Sequence, residues 1–315
     1  MRVLVLGSGV IGSVYAAGLL GAGHDVVLLA RGQRLLDLQR SGLVLHRADT
    51  DEWTTQPVEA VADVAGQAPF GLVLVPVQRT QLASVLPRVT AMDDDSDVVF
   101  FGNYSGREEE SIAGLGHRAL LGFPAVGGIR AGAVVRYVPI SRQRTMLGEP
   151  NGKLTSRVRQ IAGVLTESGF ATSSSTRMQA WLLGHAAFIA PIGCALRLVD
   201  TDARRLAADQ RLLRLVVLST RQAFRALESQ GSVELPANLR ALYLRLPVAW
   251  AVAYWRRVLD GPRGELWFAA HTRAAPEEMA QLAQVVRIAV LASGRAAPDL
   301  MQLIERAHGR DDTAR

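Results

Sequence analysis

The first residues that could carry chemistry form a glycine-rich loop, Gly7-Ser8-Gly9-Val10-Ile11-Gly12, with G-x-G-x-x-G spacing. Gly7 permits a tight turn, Gly9 lets the backbone approach a diphosphate, and Gly12 allows a helix to pack closely on a strand. The motif alone is a weak signal, but an apolar run at 2–7 precedes it and helical spacing at 10–22 follows it. The loop therefore predicts that a dinucleotide binds at the N-terminus of a helix.

The residues after the second predicted strand, DVVLLA at 25–30, indicate which dinucleotide binds. Sites that prefer NAD place an aspartate or glutamate there to hold the ribose 2′-hydroxyl. This chain has Arg31 instead, with Arg34 three residues further on. A guanidinium can hold a 2′-phosphate with two parallel hydrogen bonds. We therefore expect NADP(H) as the cofactor, with Arg31 as its main 2′-phosphate contact and Arg34 as a second one.

Reduction by such a cofactor also requires a proton donor. The apolar segment AWLLGHAAFIAP at 180–191 offers one ionisable side chain, His185. Imidazole titrates near neutral pH, so His185 is a candidate acid; the alternative is a histidine hydrogen-bonded at a domain or subunit contact. Tyr104 and Ser105 are further donors, although turn chemistry is the simpler interpretation of both. His271 could also approach the substrate site, but a lone histidine beside aromatic residues is more often part of the core.

The elements that must position these residues differ between the two halves of the chain. Apolar strand runs alternate with helical patterns in the first half, which predicts a doubly wound α/β sheet. Amphipathic helical patterns replace the strands from about Thr176 onward. We expect an α/β domain at 1–172 and an all-helical domain at 173–315. The predicted strands are 2–7, 25–30, 71–77 and 97–102, with edge strands within 119–145; the predicted helices of the second half are 176–198, 203–229, 237–259, 276–293 and 298–308.

Composition limits the classes of partner. The 315 residues carry a net charge of +6, but the arginines are scattered and Lys153 is the only lysine, so we expect no nucleic-acid surface. The single cysteine, Cys194, cannot form an internal disulfide. No run reaches about 18 uninterrupted apolar residues, so we expect no membrane span. We predict a cytoplasmic protein that acts on a small molecule, without a metal site.

The layout resembles the ketopantoate reductase family, the 2-dehydropantoate 2-reductases. The resemblance rests on the opening loop, on the helix that begins AWLLGH, and on three further segments. In the last of these the family has a glutamate followed by glycine at sixteen residues and proline at twenty, and Glu278, Gly294 and Pro298 keep those separations. The three segments are GNYSG at 102–106, LGFPAVGG at 121–128 and EEMAQLAQVVRIAVLASGRAAP at 277–298.

The resemblance implies a Rossmann domain followed by a helical domain, with NADPH as cofactor and hydride transfer to the ketone of a small 2-oxo acid. It implies that Asn103 lies beside the nicotinamide and the substrate, and that Glu278 engages the substrate hydroxyl. A glutamate just after Pro276 could instead only stabilise a helix N-terminus. Gln78 stands where the family usually has a lysine at the end of the third strand.

The family's general acid is missing from this chain. The lysine that follows the tryptophan by two residues corresponds to Leu183, and two asparagines of the same helix face correspond to Ala187 and Pro191. We expect Pro191 to disturb the helix. Three interpretations stay open: a reductase for another carbonyl or imine substrate, an NADP(H)-binding sensor or scaffold without catalysis, and a true 2-dehydropantoate 2-reductase with its acid elsewhere. The helical half is compatible with a homodimer.

Overall fold

The computed structural model describes residues 1–92, 95–104, 112, 114–140 and 143–313, with side chains as far as 309. The chain divides into two units, Met1–Met178 and Gln179–Arg315. The first is an α/β unit and the second is built from helices, as the patterns of the two halves predict. The predicted fold class is therefore confirmed.

The α/β unit contains an eight-stranded sheet and a four-stranded sheet. The large sheet has the order β12-β11-β8-β7-β6-β1-β2-β5, in which only β8 and β11 pair antiparallel. The small sheet has the order β4-β3-β10-β9. The strands are β1 (Arg2–Leu6), β2 (Asp25–Leu29), β3 (Leu43–Arg47), β4 (Glu52–Gln56), β5 (Glu59–Val61), β6 (Leu72–Val75), β7 (Asp97–Phe101), β8 (Ala119–Phe123), β9 (Val126–Ala131), β10 (Val134–Pro139), β11 (Thr145–Gly148) and β12 (Thr172–Ser174).

The central strands of the large sheet are apolar throughout because both of their faces are covered. In β1, β6 and β7 nearly every residue is buried. Val3 pairs with Val26 on one side and with Leu72 on the other, all in parallel. The carboxyl ends of β2, β1, β6 and β7 therefore lie next to one another along one edge of the sheet.

The prediction of edge strands within 119–145 is confirmed for β9 and wrong for β8 and β10. β8 is an internal strand between β7 and β11, and β10 lies between β3 and β9 in the small sheet, where β9 forms an edge. Sequence patterns missed β3 and β4, because β4 is almost wholly exposed and β3 finds its partner β10 far along the chain. The small sheet packs against the helix that follows β1.

Among the described residues of the α/β unit, four α-helices connect the strands. They are α1 (Val10–Gly21), α2 (Gly32–Ser41), α3 (Leu82–Thr90) and α4 (Ser156–Glu167). The helices of the second unit enclose a core of their own. They include α5 (Met178–Leu198), α6 (Ala203–Ala208), α7 (Gln210–Ser229), α8 (Val248–Asp260), α9 (Ala270–Ala274), α10 (Pro276–Ala292) and α11 (Pro298–Thr313).

Several predicted helices are divided in the structure. The pattern at 203–229 breaks at Asp209, whose carboxylate accepts a hydrogen bond from the N–H of Leu212 and so begins a new helix. The pattern at 237–259 contains a π-helical turn, Ala241–Arg245, before α8 begins. A second π-helical turn, Glu265–Ala269, precedes α9. π-helical turns often occur near functional sites.

Helix α5 continues through Pro191, contrary to the prediction that this proline disturbs it. By length and composition α5 is also the one helix among the described residues that could cross a membrane. Within the folded protein, however, 78% of its apolar window is buried. That burial is typical of a central core helix.

Candidate functional site

The glycine-rich loop forms an open N-terminus on α1. A Cβ built on Gly12 would lie 1.8 Å from the carbonyl oxygen of Gly7, so only glycine permits this close approach. A Cβ on Gly9 would have no neighbour within 4 Å, so the space above this residue is open. Gly9 is the N-cap of α1, and no side chain caps the helix. The first-turn N–H groups and the positive end of the helix dipole therefore fit a diphosphate.

Arg34 braces this loop from within the protein. The residue is 6% exposed, and its Nε donates to the carbonyl oxygen of Ser8 at 3.2 Å. Its two terminal nitrogens donate to the hydroxyl of Ser13 and to the carbonyl oxygen of Ala133, both at 2.9 Å. The expectation that Arg34 assists at a 2′-phosphate is therefore corrected, because its guanidinium is engaged by the loop and by the β9–β10 turn.

Arg31 has the position that the sequence predicts for a 2′-phosphate contact. It follows the carboxyl end of β2, where its extended backbone forms the N-cap of α2. The side chain is exposed, and residues 30–34 contain no carboxylate that could accept from a ribose 2′-hydroxyl. The local chemistry at this strand end is therefore cationic.

The next two strands place polar residues at the same edge of the sheet. Gln78 begins a short 3-10 turn after β6, and its N–H donates to Oε1 of Gln81 at 3.3 Å. Asn103 follows β7 and is half-buried. The fully buried Tyr104 donates its hydroxyl to the carbonyl oxygen of Val77 at 2.7 Å, which ties the two strand ends together. Ser105 lies outside the described residues.

Residues from four adjacent strand ends therefore share the carboxyl edge of the large sheet. In the strand order β2, β1, β6, β7 they are Arg31, the loop at 7–12, Gln78 and Asn103. Ligands of doubly wound sheets bind at this edge. The open N-terminus of α1 fits the diphosphate of a nicotinamide dinucleotide, for which these residues are the candidate contacts.

A second group of functional candidates lies in the helical unit. Glu278 occupies the first turn of α10, and its side chain is 3% exposed. Nε2 of His271, on α9, lies 3.6 Å from Oε2 of this carboxylate. The His271 side chain is 37% exposed, so the expectation of a core residue is wrong. The two residues lie on consecutive helices that meet at Ala275, so no spacing along a single helix could have predicted the pair.

His185 lies close to the same pair. Its ring stacks on Trp181 with centroids 5.6 Å apart and meets the edge of Phe188 at 6.2 Å. Burial, assisted by the charge of nearby His271, lowers the pKa of His185 from 6.5 to about 3. His185 therefore stays neutral near pH 7, and a neutral imidazole is a poor proton donor.

The face of α5 that corresponds to the family's polar residues is apolar. Leu183 is half-buried and packs against the helical core, and Ala187 is fully buried in that core. The only lysine of the chain, Lys153, is exposed in the other unit. Helix α5 also contacts the start of α10, because a Cβ on Gly193 would lie 2.9 Å from the sulfur of Met279.

Comparison with known families agrees with this architecture. Residues 3–151 match the family described as ketopantoate reductase PanE/ApbA. The match covers slightly less than half of the chain. The matched range contains the glycine-rich loop, Arg31, Gln78 and Asn103. The resemblance that the sequence suggested is therefore confirmed, and the chain is related to oxidoreductases with an NAD(P)-binding Rossmann-type fold.

Curated relatives match over part of their length. The 2-dehydropantoate 2-reductase of Pyrococcus abyssi is 26% identical over 202 residues, which cover 62% of this chain and 64% of that protein. The uncharacterized oxidoreductase YkpB of Bacillus subtilis is 26% identical over 163 residues, or 51% of this chain and 53% of that protein. The chain thus aligns with about half to two thirds of the length of these relatives.

Solved structures share the fold over nearly the whole chain. The 2-dehydropantoate 2-reductase of Geobacter metallireducens superposes with a TM-score of 0.78 at 17% identity, over 98% of this chain and 100% of that one. D-mandelate dehydrogenase, solved with NADH and anilino(oxo)acetate, gives a TM-score of 0.76 at 15% identity, over 99% of both chains. At these identities the likeness establishes the fold alone.

Proposed function

We propose that this protein is an NADPH-dependent oxidoreductase that transfers hydride to the carbonyl or imine carbon of a small substrate other than ketopantoate. One observation carries the proposal: the open, uncapped N-terminus of α1 lies at the sheet edge beside an exposed arginine at the end of β2. The similarity of residues 3–151 to an oxidoreductase family supports the reaction class. The cytoplasmic location stays a prediction.

In the proposed enzyme the residues at 7–12 bind the diphosphate, and Arg31 binds the 2′-phosphate. Gln78 and Asn103 contact the part of the cofactor that extends along the strand ends. When bound, the reduced nicotinamide supplies hydride to an electrophilic carbon. Glu278 engages the substrate, whose oxygen or nitrogen must receive a proton in the same reaction.

We propose a substrate other than ketopantoate because one face of α5 is apolar. This face is formed by Leu183, Ala187 and Pro191. Two of these residues pack in or against the apolar core, and none has a proton to donate. An apolar face suits a bulkier or less charged carbonyl compound. D-mandelate dehydrogenase shares the fold and was solved with an aryl-substituted oxo acid. Aryl 2-oxo acids are therefore the first substrates to try.

Arg31→Ala tests the cofactor assignment. We expect NADPH affinity to fall by about ten- to a hundredfold, as for loss of charge-assisted hydrogen bonds, and NADH affinity to change little. The measurement is a fluorescence titration of each reduced dinucleotide. Arg40→Ala, at an exposed arginine in the last turn of the same helix, is the matched control. Equal losses for NADPH and NADH would remove the assignment of a 2′-phosphate contact.

A second candidate function is a sensor or scaffold that binds NADP(H) without catalysis. The apolar face of α5 favours it, since the family's lysine is absent there. Turnover of a panel containing ketopantoate, phenylglyoxylate and pyruvate separates the possibilities. Binding of NADPH without oxidation on any of these substrates supports the sensor, and preferred turnover of ketopantoate identifies a true 2-dehydropantoate 2-reductase.

A further inference from the structure

The helical unit contains a histidine paired with a buried carboxylate. Glu278 has one of the few buried charged side chains among the described residues, and Nε2 of His271 is 3.6 Å from its Oε2. A buried carboxylate requires a cationic or hydrogen-bonding neighbour. The carboxylate therefore lies beside an imidazole ring, whose protonated form can deliver a proton.

We propose that His271, held by Glu278, donates the proton that completes substrate reduction, in place of the lysine that the family has at the position of Leu183. The inference rests on the proposed hydride transfer. As the carbonyl carbon accepts hydride, the π bond of the carbonyl breaks and its electron pair moves to oxygen. His271 gives its imidazolium proton to that oxygen, so an alcohol forms and a neutral imidazole remains. The dinucleotide is oxidised, and the carbonyl is reduced by the same two electrons.

The groups around His271 are suited to this role. From α10 it faces the carboxylate of Glu278, and from α5 it meets the uncharged ring of His185. On its own helix the nearest cation, Arg273, is itself paired, because its Nη1 donates to Glu265 at 2.9 Å. Nε2 of His271 is buried against Glu278, but 37% of the side chain is exposed, so we assign proton recovery from water to Nδ1.

His185 does not fill this role, although its sequence position suggested it. The ring is stacked between aromatic neighbours on α5, and burial keeps it uncharged. We instead assign His185 to the wall of the site, where its ring is uncharged. His271 is thus the histidine of this group that combines a carboxylate partner with exposure to water.

The pairing itself can be tested on the free protein, without cofactor or substrate. Long-range proton–nitrogen NMR spectra report the protonation and tautomer of each imidazole ring. We expect Glu278→Gln to shift the ring nitrogens of His271 and to leave those of His46 unchanged. His46 is the matched internal control, because its Nε2 forms a separate pair with Asp51 at 2.7 Å. Unshifted His271 nitrogens would overturn the pairing.

The donor role is tested with His271→Gln in the NADPH-loaded protein, using the member of the 2-oxo acid panel that the native protein reduces. We expect kcat to fall about a hundredfold or more, as for loss of a general acid. NADPH affinity by fluorescence should change less than twofold. Added imidazole should restore part of the rate, and the dependence of kcat on pH at alkaline values should flatten. His46→Gln is the control for replacing a carboxylate-paired histidine.

The outcomes separate this inference from the proposed function. Native turnover that persists in His271→Gln would overturn the role of His271 while the reductase stands. NADPH binding without turnover of any panel member would overturn the reductase, and the donor role with it. A loss of kcat that imidazole does not restore, at an unchanged urea-unfolding midpoint, would also contradict proton donation. If His271→Gln lowers that midpoint, His271→Asn takes its place.

Discussion

Two arginines at the start of α2, three residues apart, have different environments although the sequence suggested a shared role. Arg31 is exposed at the end of β2, whereas Arg34 is buried and donates three hydrogen bonds within the protein. The acceptors of Arg34 include the carbonyl oxygen of Ser8, which belongs to the glycine-rich loop. Arg34 is therefore a positioning residue for the loop.

Arg34→Met tests this difference at the residue scale. The change removes the guanidinium donors to the Ser8 and Ala133 carbonyl oxygens and leaves Ser8 only the hydroxyl of Ser13, so we expect the loop to lose its shape. NADPH and NADH affinities should both fall, by about tenfold, because each charge-assisted hydrogen bond contributes about 1.5–3 kcal/mol. Parallel fluorescence titrations of both dinucleotides check this. A loss confined to NADPH would show that Arg34 contacts the 2′-phosphate after all.

At the scale of the element, two glycines at the junction of β1 and α1 differ in their surroundings. Gly12 has the carbonyl oxygen of Gly7 where a Cβ would be, and Gly9 faces open space. Gly7 has a φ of +142°, a conformation that favours glycine. Gly12 must therefore be glycine so that the loop and α1 can pack closely. Gly9 leaves open space, which we propose that a ligand fills.

The two requirements can be tested separately with Gly12→Ala and Gly9→Ala. We expect Gly12→Ala to lower the free energy of unfolding by about 1–3 kcal/mol, because the added methyl group overpacks the junction. Gly9→Ala should lower it by about 1 kcal/mol, because alanine is a poorer N-cap than glycine and its methyl group would clash with nothing. Its methyl group should instead weaken NADPH binding more than tenfold. Urea unfolding and fluorescence titration measure the two effects, and the reverse pattern would contradict the loop geometry.

At the scale of the whole molecule, burial of an ionisable helix residue makes stability depend on pH. Folding lowers the pKa of His185 from 6.5 to about 3, since burial and the charge of His271 disfavour its protonated form. Between these values the unfolded chain binds a proton that the folded chain excludes. The stabilisation that this group retains above pH 6.5 is therefore lost as the pH falls toward 3.

We expect this group to reduce the free energy of unfolding by about 1.4 kcal/mol for each pH unit below 6. His185→Phe keeps an aromatic ring beside Trp181 and removes the titration, so its stability should fall less steeply. Urea unfolding of both proteins at pH 7, 6, 5 and 4 measures the difference. Identical slopes would show that His185 is protonated in the folded protein.

Local sequence patterns correctly predicted many of the strands and helices of the α/β unit. The strands around the glycine loop were found because fully buried parallel strands are continuous apolar runs. The small sheet was missed, since β4 has an exposed, polar pattern and β3 pairs with β10 far along the chain. Long-range pairing leaves no local signal. In the helical unit, π-helical turns and the cap at Asp209 divided patterns that appeared continuous.

The sequence by itself determined the order of the strands and helices around the glycine-rich loop, the loop itself, the cationic end of β2 and the absence of the family's lysine, because each depends on residue types within a few positions. The tertiary structure decided which polar groups meet. It buried Arg34 behind the loop, kept His185 uncharged among aromatic rings, and brought His271 to Glu278. Those outcomes depend on burial and on packing between elements, which set the charge state of a side chain and are absent from local spacing.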